Sequence, residues 1–344
     1  MTNSVTIKHH YSLRGHNTFG LDVKAKQFIS YHTVDELVEV LACLRDKGEQ
    51  ILHIGGGSNL LFTKDYEGSI LHSDIRFIQY VSRDSREVVV RVGSGVKWDD
   101  FCAEMASSNY YGCENLSYIP GEVGASAIQN IGAYGVEAGD VIDKVFCIEA
   151  SSGKEVVFRA SECAYGYRDS RFKHEKGRYI VTRVTFRLTR RYCPSLGYGN
   201  IKAALEGRDL EALTPLDVRD AIIRIRREKL PDPAEIGSAG SFFKNPVISK
   251  EHFDRILASV PDGKVPHFDL PDGTVKVPAA WMIDTCGFRG AVRGGAKVFE
   301  KQPLVIVNDS GSASPEDIIA LEDEVIAAVR DRFGVILHPE VEHI

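Results

Sequence analysis

Apolar positions at helical spacing appear first at Val34, Leu37, Val38, Leu41 and Leu44, which share one face of a helix. Thr33 and Glu36 stand at its start with the spacing of a capping box. The segment "QILHIGGGSNLLF" follows, an apolar strand running into three glycines. "EVVVRVGSG" predicts a strand, and Trp98, Phe101, Cys102 and Met105 then mark the buried face of a helix. "KVFCIEA", "KEVVFRA" and "YIVTRVTFRL" predict further strands. In the last, Ile180, Thr182, Val184, Phe186 and Leu188 alternate with Arg183, Thr185 and Arg187, the pattern of a half-buried strand.

Near residue 190 the texture changes. "RRYCPSLGYGN" signals a loop or hairpin. Thr214 and Pro215 open a helix that carries Ala221, Ile222 and Ile225 and stops at "LPDP". Helices near 250–260 and 279–286 and a strand at "PLVIV" come next. A long amphipathic helix then starts at Ser314-Pro315 and ends at Gly334. The pattern predicts an α+β fold with a larger domain at 1–215 and a smaller one at 216–344. Neither an internal repeat nor a low-complexity segment is visible.

Composition narrows the picture modestly. A chain of 344 residues suits about two domains and can bury a substantial core without staples. Hydrophobic residues make up 43% and charged residues 26%, an ordinary globular balance. A net charge of -6, with no long basic run, argues against a nucleic-acid or anionic-membrane partner. No stretch has transmembrane length or a secretory signal core, so no membrane insertion is expected. The cysteines at 43, 102, 113, 147, 163, 193 and 286 are scattered, odd in number and never spaced as CxxC. That favours a reduced, cytoplasmic setting over a disulfide framework, and no metal site is expected.

Two glycine-rich segments carry the first chemical signal. "GGGSNLL" at 55–61 follows a strand, and its glycines let backbone N–H groups approach an anion. It has neither the Lys-Ser/Thr end of a Walker loop nor the GxGxxG spacing of a dinucleotide turn. "SYIPGEVGASAIQNIGAYG" at 117–135 holds Ser117, Gln129, Asn130 and Tyr134 among four glycines. Small residues there allow close approach of a heterocycle, and Tyr134 can stack on it or close over it. Together the loops suit a ligand with phosphate and ring parts, as in a dinucleotide cofactor.

Other segments stay open when read singly. "YGYRDSRFK" reads as a solvated turn or as a place where Arg168 clamps a carboxylate. Lys229 in "KLPDP" sits at a helix end, where the macrodipole alone favours a lysine. Glu340 in "PEVE" reads as an exposed glutamate. Ser241 in "SAGSFFKNP" reads locally as a cap, or as a reactive hydroxyl beside a glycine.

Taken in order, "GGGSNLL", "IPGEVGASAIQNIGAYG", "YGYRDSRFK", "AGSFFKNP", "GGAKVFEKQPLVIVN" and "HPEVE" closely resemble the UDP-N-acetylenolpyruvoylglucosamine reductases. These flavoenzymes complete UDP-N-acetylmuramate in bacterial peptidoglycan synthesis. The resemblance runs from about residue 15 to the end. "SLGYGNI", with Tyr198, resembles the tyrosine loop (192–201) of the type I branch. It implies an FAD-binding domain of the vanillyl-alcohol oxidase type with subdomains at about 1–75 and 76–215, followed by a substrate-binding domain. Gly55, Gly57, Ser58 and Asn59 would hold the FAD pyrophosphate. Ile119, Pro120, Asn130, Gly132, Ala133 and Tyr134 would line the flavin. Arg168, Ser241 and Glu340 match the catalytic positions, and Tyr198, Lys229, Asn245 and Gln302 match the UDP-sugar contacts. Ala127 stands where the family often has a proline, which should change loop rigidity more than chemistry.

The implied reaction reduces an enolpyruvyl C=C to a lactyl ether, with NADPH as reductant, non-covalent FAD as carrier and both substrates at one site. Hydride from flavin N5 goes to C3, and negative charge develops at C2 and its carboxylate. Arg168 would stabilise that charge. Ser241 would deliver the proton to C2. Glu340 is the awkward member, because a carboxylate repels an enolate; it would be protonated or orient a donor. A monomer is expected. Two alternatives remain at this point: an FAD-dependent sugar or lactone oxidase of the same fold, and a catalytically silent flavin or nucleotide-sugar binding protein.

Overall fold

A computed structural model describes residues 5–198, 200–261 and 263–344. The chain divides into two compact units. One comprises Met1–Ser12, Lys24–Gly56 and Asp65–Glu228; the other comprises Leu13–Val23, Gly57–Lys64 and Lys229–Ile344. The main division therefore falls after Glu228, beyond the boundary expected at 215. The reason is the helix Pro215–Lys229, whose Val218, Ala221, Ile222 and Ile225 pack with Ile201, Leu205 and Leu213 of the first unit.

The first unit holds two sheets. One has four strands in the order Thr6–Ser12, Lys24–Tyr31, Tyr66–Ser73, Ile51–Ile54. Its first pair is antiparallel and the other pairs are parallel. The helix Val34–Asp46 makes the crossover and buries Leu37, Leu41 and Leu44 against Ile29, Tyr31 and Leu71. Thr33 accepts from the Glu36 N–H as the spacing predicts, but the Glu36 carboxylate takes the His32 N–H at 2.6 Å. The strands Thr6–Ser12 and Tyr66–Ser73 have no clear signal in the sequence. Most of the former is exposed at the sheet edge, so it shows no buried alternation.

The second sheet is antiparallel, in the order Glu155–Arg159, Ile142–Glu149, Tyr179–Thr189, Glu87–Gly93, Ile78–Arg83. The helix Trp98–Ser107 covers it. Trp98, Phe101, Cys102 and Met105 are fully buried, with Phe101 and Phe186 ring centroids 4.6 Å apart. Truncating Phe101 to alanine would cost about 3–5 kcal/mol. Tyr179–Thr189 departs from the simple alternation. Its pairing with Ile142–Glu149 shifts between Phe146 and Cys147, which face Arg183 and Val181 and leave Thr182 as an extra residue. Such a bulge reverses which residues face the core. Val181 therefore joins the same core as Val184 and Phe186, and Ile180 joins the core of the other sheet. Thr182 and Thr185 are buried as well, so the strand is covered on both faces.

The second unit combines a four-stranded sheet (Gly237–Ser238, Ile306–Asn308, Ala296–Val298, Val292–Arg293) with a three-stranded one (Val247–Ser249, Thr274–Lys276, Phe268–Asp269). Helices Lys250–Ser259, Ala279–Thr285 and Pro315–Phe333 complete it. The last has a full Ser314/Asp317 capping box, Pro315 in its first turn and Gly334 at φ 66° as its stop. Two early segments belong here because their apolar residues do: Phe19, Leu21 and Leu61 are buried in the same core as Phe242, Met282 and Val325. Main-chain bonds secure them, with Ser238 N–H donating to Thr18 and Asn308 Nδ2 donating to Phe19.

Candidate functional site

In the first unit the two glycine-rich segments lie on each other. A Cβ on Gly55 would stand 3.1 Å from Ala125 Cβ and 3.3 Å from Glu122 Oε2; one on Gly56 would stand 3.4 Å from Gly121 Cα. A side chain on Gly55 would crowd Ala125 and Glu122, whereas a Cβ on Gly56 would make ordinary contact. The second segment contains a short helix, Val123–Gln129, which its glycine and polar content concealed. Asn130 ends it in the left-handed region at φ 46°. The Asn130 amide donates to Glu137 Oε2 at 2.7 Å and to Gly166 O at 2.8 Å and accepts from Gly139 N–H at 2.8 Å. Its polar groups are thus spent on shaping the loop that presents Gly132 and Ala133.

Arg168 is brought to that loop. It adopts φ 53° and donates from Nη2 to Gly132 O. A Cβ at Gly132 would lie 2.6 Å from Arg168 Nη1, so glycine is what admits the guanidinium. Lys173 Nζ donates to Arg168 O and to Gln129 Oε1, both at 3.0 Å, tying the turn to the helix before Asn130. "YGYRDSRFK" therefore forms an organised turn in which Arg168 is half-buried.

Around Tyr134 the structure adds residues that the motifs did not single out. Burial raises the Tyr134 phenol above its ordinary pKa, opposed by the charge of Arg226 and a hydrogen bond to it. Arg226 also donates from Nε to Tyr118 O at 3.1 Å, just before half-buried Ile119 and exposed Pro120. Asp99 receives a bidentate Arg219 at 2.6 and 2.8 Å and also binds the Tyr118 N–H. Asn115 Nδ2 donates to Tyr134 O at 3.0 Å and to Ser195 O at 2.8 Å, which tethers the tyrosine loop. Tyr198 itself is exposed, with its Cβ 3.4 Å from where a Gly135 Cβ would be. Gly199 of that loop lies outside the described residues. Arg226 had one weak signal: it precedes Lys229 by three residues, one helical turn.

The residues fit a dinucleotide cofactor by two tests. The glycine loops present bare main chain, and Asn115 Oδ1 and Ser117 Oγ are buried with no hydrogen bond among the described residues. Orphaned buried polar atoms of this kind call for a polar ligand or water.

In the second unit four separated segments meet. Glu340 N–H donates to Phe242 O at 2.8 Å, Phe242 N–H to Leu304 O at 2.8 Å, and Lys244 N–H to His338 O at 2.9 Å. Asn59 Nδ2 donates to Glu340 O at 3.1 Å, and Glu342 N–H returns to Asn59 O at 3.0 Å. Leu60–Leu61 pairs in parallel with Glu342–His343. Ser241, Gln302, Glu340 and Asn59 are thus carried on adjoining strands and turns. Asn59, expected at the pyrophosphate, directs one amide N–H to the Glu340 carbonyl. Ser58 is half-buried. Gly57, at φ 65°, has no room for a side chain, since a Cβ would stand 2.0 Å from His16 O.

Ser241 is exposed, and its hydroxyl makes no hydrogen bond among the described residues. It caps no helix; in this unit that task falls to Ser249 and Ser314. Gly240, at φ 71°, sets the turn before it. Asn245 Oδ1 accepts the Ala279 N–H at 3.0 Å, and the residue is half-buried. Lys229 is exposed and Gln302 half-buried.

Comparison with known proteins agrees with this division of labour. Residues 25–159 match a family model described as an FAD binding domain, and residues 232–344 match the UDP-N-acetylenolpyruvoylglucosamine reductase C-terminal domain. A UDP-N-acetylenolpyruvoylglucosamine reductase of Bacteroides fragilis is 50% identical over 97% of this chain and 99% of its own length. The Porphyromonas gingivalis protein of the same name is 44% identical over 98% and 99%. The crystal structure of the reductase from Thermus caldophilus superposes with a TM-score of 0.67 over 98% of each chain, at 23% identity, which establishes likeness of fold.

Proposed function

Because the chain belongs to the UDP-N-acetylenolpyruvoylglucosamine reductase family, we propose that it reduces UDP-N-acetylglucosamine enolpyruvate to UDP-N-acetylmuramate with NADPH. It is an FAD-dependent oxidoreductase of peptidoglycan precursor synthesis. Bound FAD, held by Gly55, Gly57, Ser58 and Asn59 at its diphosphate and by Ile119, Pro120, Asn130, Gly132, Ala133 and Tyr134 around its ring, would supply the redox chemistry that links NADPH to the enolpyruvyl double bond.

The chain's own residues do the rest. Arg168 is a permanent cation, oriented by its bond to Gly132 O, and it stabilises the negative charge that builds at C2 and the adjoining carboxylate. Ser241 donates the proton to C2. A hydroxyl is a weak acid, but a carbanion-like C2 is a strong base, so reach matters more than acidity. Glu340, joined to the Ser241 segment through the Phe242 carbonyl, orients the proton donor. Tyr198, Lys229, Asn245 and Gln302 read the UDP portion. Lys229 and Asn245 meet phosphates common to substrate and NADPH, so the two bind alternately at one site. The cytoplasm, where UDP-linked precursors and NADPH are found together, is the setting.

The observation that carries this reading is the Ser241 hydroxyl: exposed, unbonded and on a segment that contacts the main chain of Glu340. The test is spectroscopic. Purified protein should be yellow, bleach anaerobically with NADPH, and recover its colour on addition of UDP-N-acetylglucosamine enolpyruvate. Bleached protein that reoxidises with dioxygen but not with the enolpyruvyl compound would refute the proposal and favour an oxidase.

A further inference from the structure

Behind the first glycine loop lies a buried histidine–carboxylate pair that none of the roles above uses. His72, in the strand Tyr66–Ser73, places Nε2 2.9 Å from Glu122 Oε1, with only 8% and 11% of their side chains exposed. Glu122 occupies the N-cap position of Val123–Gln129, yet its carboxylate makes no bond to that helix. It reaches His72 with one oxygen and the empty Cβ position of Gly55, at 3.3 Å, with the other. A carboxylate is thus held against the loop read as the pyrophosphate site, where a second anion should repel the first.

The neighbouring titratable groups do not relieve that conflict. His53 is buried, and desolvation together with the charge of His72 drives its pKa down to about 3, so it is neutral. Tyr31, hydrogen-bonded to His53 Nε2 at 2.8 Å, is pushed well above its ordinary value by burial, so it is neutral too. Asp74 adds negative charge near Tyr31. Phe28 stacks on His72 with centroids 5.9 Å apart and fixes the ring.

We propose that the His72–Glu122 pair makes the first glycine loop compatible with the FAD diphosphate: His72 Nε2 engages the Glu122 carboxylate from the side away from Gly55 and offsets the negative charge it presents there. His72 is a positioning and charge-compensating residue for cofactor binding, and takes no part in hydride or proton transfer. The proposal rests on the reading of the Gly55 loop as the diphosphate site.

FAD dissociation from the full-length protein, followed by flavin fluorescence, tests it with four variants. His72→Gln leaves the carboxylate uncompensated and should weaken FAD binding by about 100-fold or more. Glu122→Gln removes the offending charge and should hold FAD at least as tightly as the parent. His72→Gln/Glu122→Gln, with two neutral amides, should recover most of the affinity lost in His72→Gln; a purely packing role for His72 predicts no such recovery. A His72→Gln protein that folds and binds FAD as the parent does overturns the proposal, as does a double variant no better than His72→Gln. If His72→Gln does not fold, Glu122→Gln decides, because a large loss of FAD there is incompatible with the idea. Gly55→Val separates the two levels of argument. Parental affinity in Gly55→Val removes the diphosphate reading and the proposal with it, whereas lost affinity there with a silent His72→Gln sinks the proposal alone.

Discussion

Ser241→Ala separates a structural hydroxyl from a chemical one. The side chain is exposed and its hydroxyl bonds to nothing among the described residues, so no hydrogen bond or cap is lost on removal. Stability should change by no more than about 0.5 kcal/mol. Ser314→Ala is the useful contrast. There the hydroxyl accepts the Asp317 N–H within a capping box, and its loss should cost about 1 kcal/mol. For Ser241 the price appears in rate. A general acid contributes about 10²–10⁴-fold, equivalent to about 3–5 kcal/mol of barrier. Stopped-flow absorbance resolves the two half-reactions of each variant. Ser241→Ala should be reduced by NADPH at the parental rate, with the loss confined to reoxidation by the enolpyruvyl substrate. Ser314→Ala should melt earlier and react normally in both steps. Near-parental reoxidation of Ser241→Ala would refute the proton-donor role, and a large fall in its melting temperature would refute the structural premise.

Gly57→Ala places a Cβ 2.0 Å from the His16 carbonyl at a φ of 65°, so the backbone of Leu13–Val23 must shift; a loss of about 1–3 kcal/mol is expected, and an unchanged denaturation midpoint would contradict it. His343 bonds Glu322 at 2.7 Å, which raises its pKa above the ordinary value, against desolvation. Its stabilisation is therefore complete below about pH 6.5 and is lost as pH rises through the higher folded value. The parent should accordingly lose more melting temperature between pH 6 and 8.5 than Glu322→Gln does, and equal slopes would exclude the linkage. Asn115→Leu removes both bonds that hold Tyr134 and Ser195. It should raise KM for the UDP-linked substrate more than it lowers kcat, and an unchanged KM would show that the tether does not matter to Tyr198.

What was legible in the sequence was local. The Ser314-Pro315 start, the stop at Gly334 and the apolar face of Trp98–Ser107 depend on residues within a few positions of each other, and the structure has them. The bulge at Thr182 was hidden because one inserted residue leaves the composition of a strand untouched while reversing its faces. Phe19 and Leu61 gave no hint of their allegiance either, since an apolar residue does not specify which core it joins. The site suffered most from this limit. Arg168 and Gly132 are 36 residues apart, and Asn59 and Glu340 are 281 apart, so no spacing rule relates them. The ordered set of motifs supplied that relation from outside local physics, which is why Ser241 could be singled out while Asn115, Arg226 and the His72–Glu122 pair could not. The last case is instructive. A family resemblance carries forward residues that its motifs name, whereas a buried compensating residue is defined by what lies next to it. His72 becomes meaningful only when the carboxylate at Glu122 and the missing side chain at Gly55 are seen together.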